Sequence, residues 1–165
     1  MAGSMAGLIT LLADNENVLA ELACALTEEQ GCIVDLDLER LAQNGGRKEE
    51  ISARLKQVRD ECRAAMQQAG GELGLKEIPS LSTLIAAAPA AEQLKLRPVQ
   101  RRLVRIAQAL ERQHDLNRRM LENSIDMVKG SMALFGRLLG GCDTYGTQGR
   151  INSGMASGSI LRREI

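Results

Sequence analysis

The sequence predicts an all-α fold: an antiparallel helical bundle or coiled coil of about three long helices and one short helix, followed by a flexible C-terminal tail. Three observations lead there. The 165-residue chain has one Phe, one Tyr and no Trp, whereas sheet cores lean on aromatic and β-branched side chains. Its apolar residues are chiefly Leu, Ala, Met and Ile, the side chains that interdigitate along helical seams, and its abundant Ala, Leu, Glu, Arg and Gln are strong helix formers. Apolar positions also recur at three- and four-residue spacing over long stretches, the period of a helix with one buried face.

The first helix is expected over about residues 5 to 33. Leu8, Leu11, Asn15, Val18, Leu22 and Ala25 form its seam, widened by Leu12, Leu19 and Leu26. Gly31 and the β-branched pair Ile33-Val34 weaken the helix there, and either Asp35 or Asp37 can cap the next one. The second helix is expected over 37 to 69, with the heptad Ile51, Leu55, Val58, Cys62 and Ala65. Continued backwards, that seam meets Lys48, Asn44 and Leu41 and turns polar. Gly45-Gly46 costs roughly 1 kcal/mol per glycine relative to Ala and predicts a kink or break. Gly70-Gly71 reads as the helix stop.

Between 70 and 89, Gly74, Pro79 and Pro89 bracket Ser80-Leu81-Ser82-Thr83-Leu84-Ile85, a Ser or Thr cap leading into one short helix over the bundle. A long final helix follows Pro89 and runs to about 139, with Pro98 either kinking it or marking its start. At 1.5 Å per residue it is about 75 Å long, so one end is expected to stand free of the shorter helices. Its seam is Val99, Leu103, Ile106, Leu110, Gln113, Asn117, Met120, Ser124, Met127, Ser131, Leu134 and Leu138. Beyond Leu110 polar or small residues alternate with methionines. Buried polar seam residues fix register at a cost in stability. Met120, Met127 and nearby Met132 offer adaptable surface of a kind that accepts varied apolar partners. The expected organisation is one bundle domain over 1–141 and a flexible Gly/Ser-rich tail over 142–165.

Twenty-one basic and twenty-one acidic residues cancel, so no long-range field favours nucleic acid or a membrane surface. No apolar run approaches the roughly 20 residues of a membrane span, and the N-terminus lacks the features of a signal peptide. A cytoplasmic protein is the simplest expectation. Cys24, Cys32, Cys62 and Cys142 are scattered, with no C-x-x-C and a single histidine. Zinc-site spacing is therefore missing, and no cofactor or metal is expected. Cys32 and Cys62 fall on apolar faces and read as small hydrophobes.

The search for catalytic chemistry finds no constellation. Glu111 and His114 make one Glu-x-x-His pair, but a di-iron bundle needs two such pairs and two further glutamates. His114 reads as a solvated residue, and the chain as a non-enzyme without a small-molecule substrate. Arg97, Arg101, Arg102, Arg105, Arg112, Arg118 and Arg119 make the final helix locally basic; without aromatic stacking residues, a solvated face pairing with acidic residues of the first two helices is the better reading. Tyr145 reads equally as a plug packing beside Phe135 and Leu138 or as an exposed anchor for a partner.

Several segments together resemble the FlgN family of bacterial flagellar export chaperones: Asp35-Leu36-Asp37-Leu38-Glu39-Arg40-Leu41 leading into Lys48-Glu49-Glu50-Ile51, then Leu116-Asn117-Arg118-Arg119-Met120-Leu121-Glu122-Asn123-Ser124, and Tyr145-Gly146-Thr147-Gln148-Gly149-Arg150. His114 stands where the family often has a second Asn. The resemblance implies a cytosolic chaperone that binds the C-terminal segments of the hook-associated proteins FlgK and FlgL, prevents their early assembly and brings them to the flagellar type III export gate. On that reading, cargo is expected on Met127, Leu134, Leu138, Ile151, Ile160 and Leu161, and gate docking at Tyr145. The alternative is a structural homo-oligomeric coiled coil whose seam closes on a second copy.

Overall fold

The computed structural model describes residues 2–75 and 78–140. Four helices account for most of them: α1 (Ala2–Asp35), α2 (Leu38–Glu72), α3 (Leu81–Ala87) and α4 (Ala90–Gly140). Among the described residues there is no strand. By internal contacts the chain divides into two units, Met1–Met120 and Leu121–Ile165.

The α1–α2 turn is tight. Leu36 adopts φ +54°, a left-handed conformation that costs a non-glycine residue about 1–2 kcal/mol. The turn closes with the Asp37 amide donating to the Cys32 carbonyl at 3.0 Å. Of the two candidate caps Asp37 takes the role, its carboxylate accepting from the Arg40 amide at 3.0 Å. α2 then returns antiparallel to α1: Glu28 meets Arg47, Glu29 meets Lys48, and Glu21 meets Arg54.

The expected kink or break at Gly45-Gly46 is not found as a break, because α2 is continuous through both. Asn44 and Lys48 bracket the pair, and each is tied to α1. The Asn44 amide donates to the Ala25 carbonyl at 3.1 Å, and Lys48 pairs with Glu29. Such tertiary bonds offset the intrinsic glycine penalty.

Gly70-Gly71 is likewise not the helix stop. Both stay helical, Leu73 caps the end, and the reversal falls at Gly74 with φ +76°. Gly70 has a different job. A Cβ added there would lie 2.8 Å from Cγ of Pro79, so its missing side chain lets the connection pass directly over the helix. That connection leads to Ser80, whose hydroxyl accepts from the Thr83 amide at 3.1 Å and caps α3. Pro89 then opens α4, its carbonyl accepting from the Glu92 and Gln93 amides. Pro98 lies inside α4 and does not mark its start. The flanking Leu96 and Val99 are buried, which holds the helix in place around the missing amide donor.

One core cluster joins Met5, Leu8 and Leu12 of α1, Cys62 and Ala69 of α2, Leu84 and Ile85 of α3, and Leu96 and Val99 of α4. Leu8, Leu84 and Leu96 are fully buried, each such burial being favourable by about 1.5–3 kcal/mol. A second cluster of Val18, Ala25 and Ile51, with Leu22, Leu55 and Val58 against it, ties α1 to α2 farther along. α4 runs parallel to α1, as Arg102–Glu16 and Asn117–Leu26 show.

Candidate functional site: the apolar end of the last helix

The seam of α4 is buried or half-buried at Leu96, Val99, Leu103, Ile106 and Leu110, then becomes polar at Gln113 and Asn117. Asn117 is 1% exposed. Its amide donates to the Leu26 carbonyl at 2.7 Å and to Oε2 of Glu29 at 3.0 Å. Gln113 donates to Oδ1 of the Asn117 side chain at 3.0 Å and to Oε1 of Gln30 at 2.8 Å. With Lys48 on Glu29 and Asn44 on Ala25, these residues form a polar layer drawn from α1, α2 and α4.

The last part of α4 is different in kind. From Ile125 to Leu139 every side chain is exposed. Met127 is 73% exposed, Leu134 55% and Leu138 63%; Ile125, Val128, Met132, Phe135 and Leu139 are also more than half exposed. At about 100° per residue these eight side chains span roughly half the circumference of the helix. Asp126, Lys129 and Arg137 occupy the other half, with Asp126 and Lys129 paired at 3.8 Å. Ser131, which lies inside the apolar arc, turns its hydroxyl onto the Met127 carbonyl at 2.9 Å. That internal bond removes the hydroxyl's demand for a partner and leaves the arc apolar.

Of the residues expected to bind cargo, Met127, Leu134 and Leu138 share this face. Ile151, Ile160, Leu161 and Tyr145 lie outside the described residues. Ile125, Val128, Phe135 and Leu139 were missed because they sit off the heptad seam, and a seam counts only the narrow stripe of a two-helix contact. A tally of apolar residues around the whole helix finds them.

Other sequence expectations sort as follows. His114 is exposed. Among the described residues no group of three or more His, Cys, Asp or Glu side chains is placed to hold a metal, and no helix is long and apolar enough to cross a membrane. Cys32 and Cys62 are buried and Cys24 is exposed; Cys142 lies outside the described residues. Burial pushes the Cys62 thiol above its ordinary pKa, and the nearby Glu61 and Asp14 carboxylates add to the shift. The acidic residues of α1 do pair with Arg102, through Glu16 at 2.8 Å. Among the described residues they do not pair with Arg97, Arg101, Arg105, Arg112 or Arg119.

A long helix carrying an uncovered half-apolar face can take up another polypeptide, by the helix-in-groove or helix-pairing modes that use such faces. Exposed apolar patches of this extent on a folded chain mark contact surfaces. One comparison with known proteins bears on the class. The family profile described as FlgN protein matches residues 1–153. No curated protein and no solved structure matches the chain. The match covers the helices, the apolar end of α4 and the Tyr145–Arg150 segment, and by it the chain belongs to the FlgN family of flagellar export chaperones.

Proposed function

We propose that this protein is a cytoplasmic chaperone for the C-terminal segments of the hook-associated proteins FlgK and FlgL, which it shields from early assembly and delivers to the flagellar type III export gate. The observation that carries the reading is the run Ile125–Leu139, in which eight large apolar side chains are exposed and none is buried. Covering such side chains is favourable by about 1.5–3 kcal/mol each when burial is complete. A partner that is disordered before binding gives back part of that gain in ordering. The result is a complex tight enough to hide a polymerising helix and weak enough to release it.

Cargo lies on Met127, Leu134, Leu138, Ile151, Ile160 and Leu161. Methionine's flexible thioether accommodates two related but unequal cargo helices on one face. Tyr145 docks at the export gate, so Tyr145→Ala spares cargo binding but lowers the hook-associated protein recovered from culture supernatant. Unchanged export by that variant removes the tyrosine from the mechanism.

Calorimetry of the purified chain against a C-terminal peptide of FlgK or FlgL tests the reading directly. The expected result is saturable 1:1 binding to a monomeric chain. Silent calorimetry, together with a tight homodimer in sedimentation, would instead assign the apolar face to a structural coiled coil between copies.

A further inference from the structure

The arginines of α4 carry an inference separate from the cargo face. Between Ala90 and Met120 the helix holds eight basic residues and three acidic ones, while α1 holds six acidic residues and no basic one. Intramolecular compensation would be the simplest use of this asymmetry, but three of the six α1 carboxylates are taken by α2 and only one reaches α4. Glu21, Glu28 and Glu29 bind Arg54, Arg47 and Lys48 of α2, and Glu16 takes Arg102. Arg97, Arg101, Arg105, Arg112 and Arg119 are exposed. Among the described residues none of the five meets a carboxylate, and Arg97 donates only to Gln93, at 3.0 Å.

At about 100° per residue, these five fall within a quarter of the helix circumference, on the side opposite the buried Leu96, Val99 and Leu110. The stripe is not purely basic. Leu94 lies within the arc and Val104 and Leu116 flank it on either side; they are 75%, 49% and 44% exposed. Where the stripe passes α3 the surface is concave. A trough of about 440 Å³ there is lined by Ser82, Ile85 and Ala86 of α3 and Arg97, Gln100 and Arg101 of α4, and an open one of about 550 Å³ lies on α4 alone, lined by Pro98, Gln100, Arg101, Arg102, Val104 and Arg105. Arg97 and Arg101 thus share a trough with the apolar Ile85 and Ala86.

We infer that this face of α4 is a second docking surface, for an acidic amphipathic helix of a partner protein. Arginine forks receive its carboxylates while Leu94, Val104 and Leu116 take its apolar side chains. From Arg97 to Arg119 the stripe runs about 33 Å, the length of a helix of roughly 20 residues. A single small anion would use one or two of the five arginines. A nucleic acid is disfavoured by Asp115 within the stripe, by exposed leucine and valine, and by the lack of stacking rings. Arginine interleaved with large apolar side chains is instead the composition of protein interfaces.

The test uses the full chain and a designed amphipathic helical peptide of about 20 residues, with Glu and Leu sharing one face and Gln and Ala on the other, followed by fluorescence anisotropy. A peptide with Lys for Glu, a short DNA duplex and phosphatidylglycerol vesicles are the comparison probes. The acidic peptide is expected to bind, and Arg101→Glu with Arg105→Glu to weaken it roughly tenfold or more. Val104→Ser is expected to weaken it several-fold. Binding is expected to survive Met127→Ser, Leu134→Ser and Leu138→Ser together, which separates this surface from the cargo face. Circular dichroism confirms that each variant is folded. Equal binding of the Lys peptide, tighter binding of DNA or vesicles, or indifference to both the Arg101/Arg105 reversal and Val104→Ser overturns the inference.

Discussion

The Asn117 amide of α4 lies 3.0 Å from a carboxylate oxygen of Glu29 on α1, and the other oxygen of that carboxylate receives the Lys48 ammonium of α2. One buried carboxylate therefore joins all three long helices. Glu29 is 7% exposed, so it is largely out of water and its oxygens take their hydrogen bonds from these two partners. The arrangement sets register: sliding α4 by a turn along α1 would strand the Asn117 amide and an oxygen of Glu29 together.

Asn117→Ala removes two donors from groups that stay buried. Unsatisfied buried groups cost about 1–3 kcal/mol, and urea unfolding is expected to show a loss in that range with an unchanged slope. A midpoint equal to that of the parent chain would mean that water replaces the amide without penalty.

Gly70→Ala places a methyl 2.8 Å from the Pro79 ring. Pro79 is buried and its ring cannot swing aside, so the connection from α2 to α3 must shift. The expected cost is about 1–3 kcal/mol, even though alanine is the better helix former at that position. Gly71→Ala is the control, since nothing lies near a Cβ there; it should be neutral or stabilising.

The Glu21–Arg54 pair predicts a pH dependence. The bidentate Arg54 guanidinium, at 2.8 and 3.1 Å, holds the Glu21 carboxyl below the ordinary carboxylate range and is itself pushed up. The unfolded chain thus binds the Glu21 proton at higher pH than the folded chain does. Stability from the pair is fully present above the unfolded glutamate pKa and is lost as pH falls through the lower, folded value. In Arg54→Ala the Glu21 titration, followed by carboxyl NMR, is expected to move upward. No movement would show that the pair is not formed in solution.

The apolar end of α4 predicts a separation of binding from stability. Met127→Ser, Leu134→Ser and Leu138→Ser combined are expected to weaken the FlgK or FlgL peptide roughly tenfold or more, because each removes apolar surface available only to a partner. Substitutions at exposed sites usually change folding by within about 0.5 kcal/mol, so the thermal midpoint should hardly move. A drop of the size seen for core residues would mean that this face packs within the chain itself.

Local chemistry made most of the helices legible. Period and composition place the four helices, and a short polar side chain before an apolar run narrows the caps to Asp35 or Asp37 and to a Ser or Thr near residue 80, of which the structure uses Asp37 and Ser80. The polar seam positions Asn44, Lys48, Gln113 and Asn117 were visible too, as residues out of keeping with their stripe. The glycines were misread for one reason. Propensity treats Gly45-Gly46 and Gly70-Gly71 alike as helix breakers, yet tertiary hydrogen bonds carry the helix through the first pair, and Pro79 needs the bare backbone of the second.

For the candidate site, the seam pointed to Met127, Leu134 and Leu138 but missed Phe135 and Leu139, which lie outside any two-helix stripe. Hydrophobic periodicity alone determined that this is a bundle of helices whose last member carries an apolar seam to its end. Only the tertiary structure decided where that seam is covered and which charges find partners, because period reports the face a helix presents and says nothing of what stands opposite it.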